Sequence, residues 1–205
     1  RERLADAAKS DARHRGDVRG RAGRRSACSR PVVELGECER HRVERYEQVV
    51  VDSIEGRRLD GLDVVVDCAN GAASVVAPEV LTRLGARVTT IHAAPDGRNI
   101  NAGCGSTHPE DLQAAVVANE AHVGLAFDGD ADRVLAADER GRLIDGDQLL
   151  AMLAIDRRDR GRLPHDTVVV TVMSNLGFRL GMADHAIRVL DTKVGDRYVL
   201  EAIEA

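Results

Sequence analysis

Asp128, Asp130 and Asp132 stand at alternating positions in the run Asp-Gly-Asp-Ala-Asp-Arg, directly after the short apolar stretch 123–127. Three carboxylates on one tight loop repel one another unless a cation lies between them. Their oxygen donors and full charge suit a hard divalent ion such as Mg²⁺, while Gly129 and Ala131 add no bulk to a loop that must curl around it. Arg133 follows at once and offers a planar, permanently charged fork for a carboxylate or a phosphate. An EF-hand is the nearest competing pattern, with Glu139 at its twelfth position, but Arg133 stands where that loop needs a glycine and residues 134–137 read as a strand. A solvated acidic turn is the plainer alternative.

The elements that must hold this loop follow an α/β rhythm. Residues 63–67 (DVVVD) read as a buried strand, and Cys68-Ala69-Asn70-Gly71-Ala72 hands it to a helix that ends near Gly85. Residues 87–91 form a second strand. Thr107-His108-Pro109-Glu110 is expected to open the next helix as a capping box, running to about Asn119. Residues 123–127 give a third strand ending at the acidic loop, so the order is that of a parallel unit with crossover helices. Residues 134–138 and 142–144 around Glu139-Arg140-Gly141 form a hairpin that closes the first domain. A helix from near Asp147 then starts a second α/β cycle, with strands at 167–172 and 187–191, a helix between them and a loop over 192–197. The fold class is therefore α/β, a parallel or mixed sheet flanked by helices. Its organisation is an irregular segment 1–41, a domain 42–146 carrying the acidic loop, and a partial domain 147–205. Order is expected to begin near Arg42, where Val43, Tyr46, Val49 or Val50, and Ile54 recur at helical spacing.

Composition narrows the classes. With 2% aromatic residues and no Trp, the core must be built from Val, Leu, Ile and Ala, as in helix-covered parallel sheets. A net charge of −5 gives no reason to expect nucleic acid, and no apolar run is long enough to span a membrane, so a cytoplasmic protein is expected. Cys28, Cys38, Cys68 and Cys104 have no C-x-x-C spacing and read as reduced thiols. The Arg-rich residues 1–30 show neither helical nor strand periodicity; they read as an unstructured tail or an out-of-frame stretch, with a basic arm as the alternative. No G-x-G-x-x-G or G-x-x-x-x-G-K-[ST] occurs, which argues against a dinucleotide or P-loop site. Ligand loops are still expected at the carboxyl ends of the strands: Asn70-Gly71, 98–108, the acidic loop, Ser174-Asn175 and 193–197.

From about Leu62 to Glu201 the chain resembles the bacterial phosphoglucosamine mutase branch of the α-D-phosphohexomutase superfamily. The segments that carry the resemblance are VVVDCANGA at 64–72, GRNINAGCGSTHPE at 97–110, GLAFDGDADR at 124–133, DGDQ at 145–148 with VMSNLG at 172–177, and KVGDRYVLE at 193–201. The acidic loop belongs to the whole superfamily, whereas CGSTHPE and VGDRYVLE point to the glucosamine branch.

The resemblance implies a four-domain enzyme that interconverts glucosamine 6-phosphate and glucosamine 1-phosphate, using a phosphoserine on its first domain, a bisphosphate intermediate and Mg²⁺. It implies Asp128, Asp130 and Asp132 as Mg²⁺ ligands, and Arg133, Lys193 and Arg197 as residues near the reacting phosphate and sugar hydroxyl. The implied partner is a phosphosugar, with neither nucleic acid nor membrane, and a homodimer is in keeping with the full-length enzyme. Ser10, Ser26 and Ser29 do not lie in the family's T-x-S-x-x setting, and G-E-x-S-G-H and R-x-S-G-T do not occur. The expectation is thus a fragment, second domain whole and third incomplete, with little or no turnover by itself. A phosphomannomutase or phosphoglucomutase fragment, or a noncatalytic cation-binding module, are the other readings.

Overall fold

The computed structural model describes residues 37–204; the basic stretch 1–36, expected to be irregular, lies outside the described residues. Helix α1 (Glu37–Ser53) is followed by β1 (Asp63–Asp67), α2 (Ala73–Arg83), β2 (Arg87–Ile91), α3 (Glu110–Ala118), β3 (Val123–Phe127), β4 (Val134–Asp138) and β5 (Leu143–Ile144). Then come α4 (Gly146–Asp159), β6 (Thr167–Thr171), α5 (Leu176–Asp184), β7 (Arg188–Thr192) and α6 (Asp196–Glu204).

The first sheet has the order β2-β1-β3-β4-β5, with β1 parallel to both β2 and β3, and β4 and β5 added antiparallel. Strand β1 lies in the interior of the sheet, between β2 and β3, in keeping with a Val run that is apolar on both faces. Val65 packs with Leu112 and Val116 of α3 and with Ala126 and Ala137, while Val64 and Val66 face Ala73 and Leu81 of α2 on the other side. Gly124 is needed in β3 because a Cβ there would press on Val116 and Leu112, so its absence lets α3 lie close to the sheet. Strands β6 and β7 pair in parallel, and Val168 and Val170 pack with Ala154 of α4 and with Phe178 and Met182 of α5. Leu180, Leu190, Leu200 and Ile203 remain exposed on this smaller unit. Among the described residues no helix is long and apolar enough to cross a membrane.

Several boundaries differ from the sequence expectation. Helix α1 begins at Glu37 rather than near Arg42, and of the expected apolar stripe Val43, Val50 and Ile54 are partly buried. Tyr46 and Val49 are 60% and 67% exposed, whereas Glu47 is buried and pairs with Arg83 of α2 at 3.5 Å. The capping box at Thr107 does not form. Residues Gly105–Thr107 close a 3-10 turn through His108 N–H and the Gly105 carbonyl, so Thr107 is not free to cap, and Pro109 occupies the capping position. The capping box lies instead at α4, where Asp145 accepts from Gln148 N at 2.8 Å and Gln148 Oε1 accepts from Asp145 N at 2.9 Å. The pair-forming part of β5 starts after Arg142, whose amide and guanidinium both bond Asp138. Strand β7 starts one residue later than expected because Ile187 N–H closes the end of α5 on the Met182 carbonyl. Residues 196–197, expected in a loop, begin α6.

The loops after β1 and β3 meet backbone to backbone. Ala72 N–H donates to the Gly129 carbonyl at 2.8 Å, and a Cβ on Gly71 would overlap that same carbonyl. Replacing Gly71 must push the acidic loop away or break this bond. Gly71→Ala is expected to lower unfolding stability by about 1–3 kcal/mol in chemical denaturation, the usual range for overpacking. An unchanged denaturation midpoint would show that the two loops part freely.

Candidate metal centre

The carboxyl ends of three parallel strands share one edge of the sheet, so the loops that follow them face the same side. These loops are bonded to one another. Asn70 N–H donates to the His92 carbonyl at 2.6 Å, and Asn101 N–H donates to the Ala69 carbonyl at 2.9 Å. The polar side chains finish the stitching: Asn70 Oδ1 accepts from Ala94 N, and Asn99 bonds both Asp96 N and the Ala94 carbonyl. Ala69, Asn70, His92, Asn101 and Ala131 all adopt left-handed backbone, with φ between 48° and 61°. Such conformations persist only where surrounding bonds enforce them, and they gather here at the loop edge.

In the sequence Asp67 is only the end of a strand; in the fold it is the hub of these loops. Its side chain is fully buried, Oδ1 accepts from Ala69 N at 2.9 Å, and Oδ2 accepts from Gly105 N at 2.9 Å and faces His92 Nδ1 at 3.0 Å. A Cβ on Gly105 would strike Ala69 and the Phe127 carbonyl, so glycine is required where that chain passes under β3. The available signal was an acidic residue closing an otherwise apolar strand, since a buried carboxylate must find donors.

Asp128, Asp130 and Asp132 converge, each bringing a carboxylate oxygen within 4.8 Å of the others, with Asp128 buried and the other two exposed. The backbone hydrogen bonds from Ala131 N–H to the Asp128 carbonyl, at 3.1 Å, and from Asp128 N–H to the Arg133 carbonyl, at 3.3 Å, curl the loop so that the alternate residues face one point. Burial pushes the Asp128 carboxyl up, but hydrogen bonds from the Arg133 amide at 3.1 Å and its Nε at 2.7 Å outweigh it and hold the group below the usual carboxylate range. Asp132 goes the other way, raised by its hydrogen bond with Asp128 and the charge of Asp130. A cluster in which one carboxylate is driven toward protonation by its neighbours is relieved by a cation, and three oxygen donors match a hard divalent ion.

The other site residues expected from the sequence are placed less tightly. Arg133 spends Nε on Asp128 and also lies 3.5 Å from Asp132, while its terminal nitrogens make no hydrogen bond among the described residues. Lys193 lies in the loop after β7 with Nζ 5.6 Å from the centre of the Tyr198 ring. Arg197 sits on α6, exposed, and its Nε donates to Glu201 at 2.7 Å. Among the described residues no hydrogen bond or ion pair joins Lys193 or Arg197 to the acidic loop.

A second polar contact lies within the smaller unit, between the start of α4 and the start of α5. Asp147 Oδ2 accepts from Asn175 N at 2.8 Å, and Asn175 Oδ1 in turn caps α5 by accepting from Phe178 N at 2.8 Å. These residues, with Asp145, Gln148 and Gly177, line an open cleft of about 360 Å³. An apolar cleft of about 420 Å³ between α1 and α2 has Asp130 and Ala131 on its rim.

Known proteins match this arrangement along most of its length. Residues 42–141 match the family model for phosphoglucomutase/phosphomannomutase alpha/beta/alpha domain II, and residues 145–205 match that for domain III. The phosphoglucosamine mutase of Symbiobacterium thermophilum is 60% identical over 159 residues, covering 78% of this chain and 35% of that protein. That of Kineococcus radiotolerans is 63% identical over 147 residues, covering 72% and 32%. The chain thus spans about a third of the length of these curated relatives. Among solved structures, a phosphoglucomutase/phosphomannomutase family protein from Burkholderia thailandensis superposes with a TM-score of 0.68 at 26% identity, covering 79% of this chain and 35% of that one. Aspergillus fumigatus N-acetylphosphoglucosamine mutase, solved with GlcNAc-6P and magnesium, gives 0.60 at 24% identity over 82% of this chain and 35% of that one, a likeness of fold. The chain belongs to the phosphoglucomutase/phosphomannomutase family, the phosphohexomutases, of which it carries domains II and III.

Proposed function

We propose that this chain supplies the metal-binding and sugar-phosphate-facing middle part of a phosphoglucosamine mutase, an enzyme interconverting glucosamine 6-phosphate and glucosamine 1-phosphate. The observation that carries the reading is the convergence of Asp128, Asp130 and Asp132 on a loop fixed from behind, in a chain about 60% identical to phosphoglucosamine mutases over domains II and III. Asp128, Asp130 and Asp132 would hold Mg²⁺, which when bound supplies Lewis-acid neutralisation of charge on a phosphoryl group.

The chain's own residues do the rest of the positioning. Arg133 orients Asp128 through Nε and its amide, and its unengaged terminal nitrogens are the natural donors to a phosphate oxygen. Lys193 and Arg197 lie at the carboxyl end of β7, the edge where α/β folds hold ligands, and are assigned to the substrate side. Pairing of Arg197 with Glu201 is an exposed contact of a type worth little, and a phosphate can compete with it. The donor phosphoserine and the sugar-selecting loop are assigned to parts of the enzyme other than residues 37–204, and the working protein to the soluble phase.

Turnover tests this directly. The polypeptide read from the intact gene is expected to convert glucosamine 6-phosphate faster than glucose 6-phosphate or mannose 6-phosphate in a coupled assay; preference for either neutral sugar would overturn the assignment. The 205-residue chain alone is expected to show no measurable turnover. Metal binding tests the centre separately. Asp130→Asn, at an exposed position that leaves packing untouched, is expected to weaken Mn²⁺ affinity by about tenfold or more in calorimetry, by the loss of one charged ligand. Affinity should also fall on acidification, and because the Asp132 carboxyl is raised, its onset lies at higher pH than for an isolated carboxylate: protonation removes a ligand. A pH-independent affinity would exclude Asp132 from the centre.

A further inference from the structure

Behind the acidic loop lies a second convergence of donors, of different chemistry. A carboxylate oxygen of Asp67, a ring nitrogen of His92 and the Cys104 Sγ all lie within 4.8 Å of one another, with Asp67 and Cys104 fully buried and His92 partly so. The three residues come from the end of β1, the residue after β2 and the loop before α3. We propose that Asp67, His92 and Cys104 form a binding site for a thiophilic divalent cation of the Zn²⁺ kind, distinct from the three-aspartate centre.

The imidazole supplies the central argument. His92 faces a carboxylate at each nitrogen: Nδ1 is 3.0 Å from Asp67 Oδ2, and Nε2 is 3.2 Å from Asp111 Oδ2. A neutral imidazole has one N–H to give. With that proton on Nε2, donated to the exposed Asp111, the Nδ1 lone pair faces the Asp67 carboxylate, an arrangement that a metal cation held between the two satisfies. This is the carboxylate–histidine–metal arrangement, in which an outer carboxylate fixes the tautomer of a metal ligand. The Asp67 oxygens are already anchored by the Ala69 and Gly105 amides, so the ligand is preorganised and retains lone pairs for a metal.

Cys104 completes a set of one oxygen, one nitrogen and one sulfur, which selects against Mg²⁺ and in favour of a borderline-soft ion. Burial pushes its thiol up, and the charge of Asp67 acts in the same direction, so the free site keeps the proton. Asn70 Nδ2 donates to the sulfur at 3.7 Å, an outer contact that favours the thiolate a metal would create. In a tetrahedral site of Zn–S near 2.3 Å and Zn–N or Zn–O near 2.0–2.1 Å, donors stand roughly 3.3–3.8 Å apart. The present donors lie within 4.8 Å of one another, close enough for side-chain adjustment to close the site. The partly exposed His92 and exposed Asp111 mark the entry path, and a water takes the fourth position. Binding would release the thiol proton to solvent and fix three loops to one ion.

Cobalt(II) titration of the 205-residue chain, with Cys28 and Cys38 replaced by Ser and Mg²⁺ in excess to fill the aspartate centre, reads the site directly. One equivalent of Co²⁺ is expected to give a thiolate-to-metal charge-transfer band with four-coordinate visible bands. The band should vanish in Cys104→Ala and His92→Gln, persist in Cys68→Ala, and need about tenfold more Co²⁺ in Asp111→Asn. X-ray absorption of the Zn²⁺-loaded parent, which needs no site variant, should show one sulfur neighbour at about 2.3 Å. Absence of sulfur from that shell would overturn the proposal and leave a protonated His92 bridging two carboxylates. Survival of the band in Cys104→Ala would overturn it equally.

Discussion

The buried carboxylate of Asp67 is the constraint on which the functional edge depends. A charge taken out of water is tolerated only when other groups replace its hydration, and here the backbone amides of Ala69 and Gly105 donate to it while the His92 ring faces it at 3.0 Å. Those groups belong to three separate loops. Satisfying one carboxylate at the end of the central strand therefore fixes the chain after β1, after β2 and before α3 together. Without it, two buried amides would lack acceptors, and unsatisfied donors cost more than the bond is worth when made.

On that foundation the acidic loop can afford its repulsion. Its backbone is pinned by the Ala72–Gly129 hydrogen bond and by the absence of side chains at Gly71 and Gly129, where a Cβ would strike backbone on one side and Asn101 and Ile100 on the other. Rigid backbone forces Asp128, Asp130 and Asp132 to share a small volume, and Arg133 offsets part of their charge. The left-handed residues at 69, 70, 92, 101 and 131 show where the fold gives up local stability to hold this geometry. Preorganised charge is what phosphoryl transfer asks of a protein, because the reaction needs position and neutralisation more than covalent participation.

A small polar clasp ties the start of α4 to the start of α5 within the smaller unit. Asp145 and Gln148 cap α4, Asp147 holds the Asn175 amide, and Asn175 caps α5. Neighbouring side chains thus close the open amides of α4 and tether the start of α5. Behind them Ala154 of α4 shares an apolar core with Phe178 and Met182 of α5.

The local rhythm of the chain was legible in its sequence. Strands β1 to β4 fall where apolar runs bounded by Asp, Gly and charged residues placed them, because burial between two helix layers leaves little choice of residue. The acidic loop was legible too, since alternating carboxylates after an apolar strand have few uses. What the tertiary structure decided are the relations among residues far apart in sequence: that Asp67 draws in Gly105 and His92, that Gly71 must yield to Gly129, that Glu47 is buried beside Arg83 of α2, and that Thr107 is taken up in a 3-10 turn instead of capping α3. Periodicity reports which face of an element is apolar, but a hydrogen bond between loops depends on where the strands bring their ends, and that is fixed only when the sheet closes.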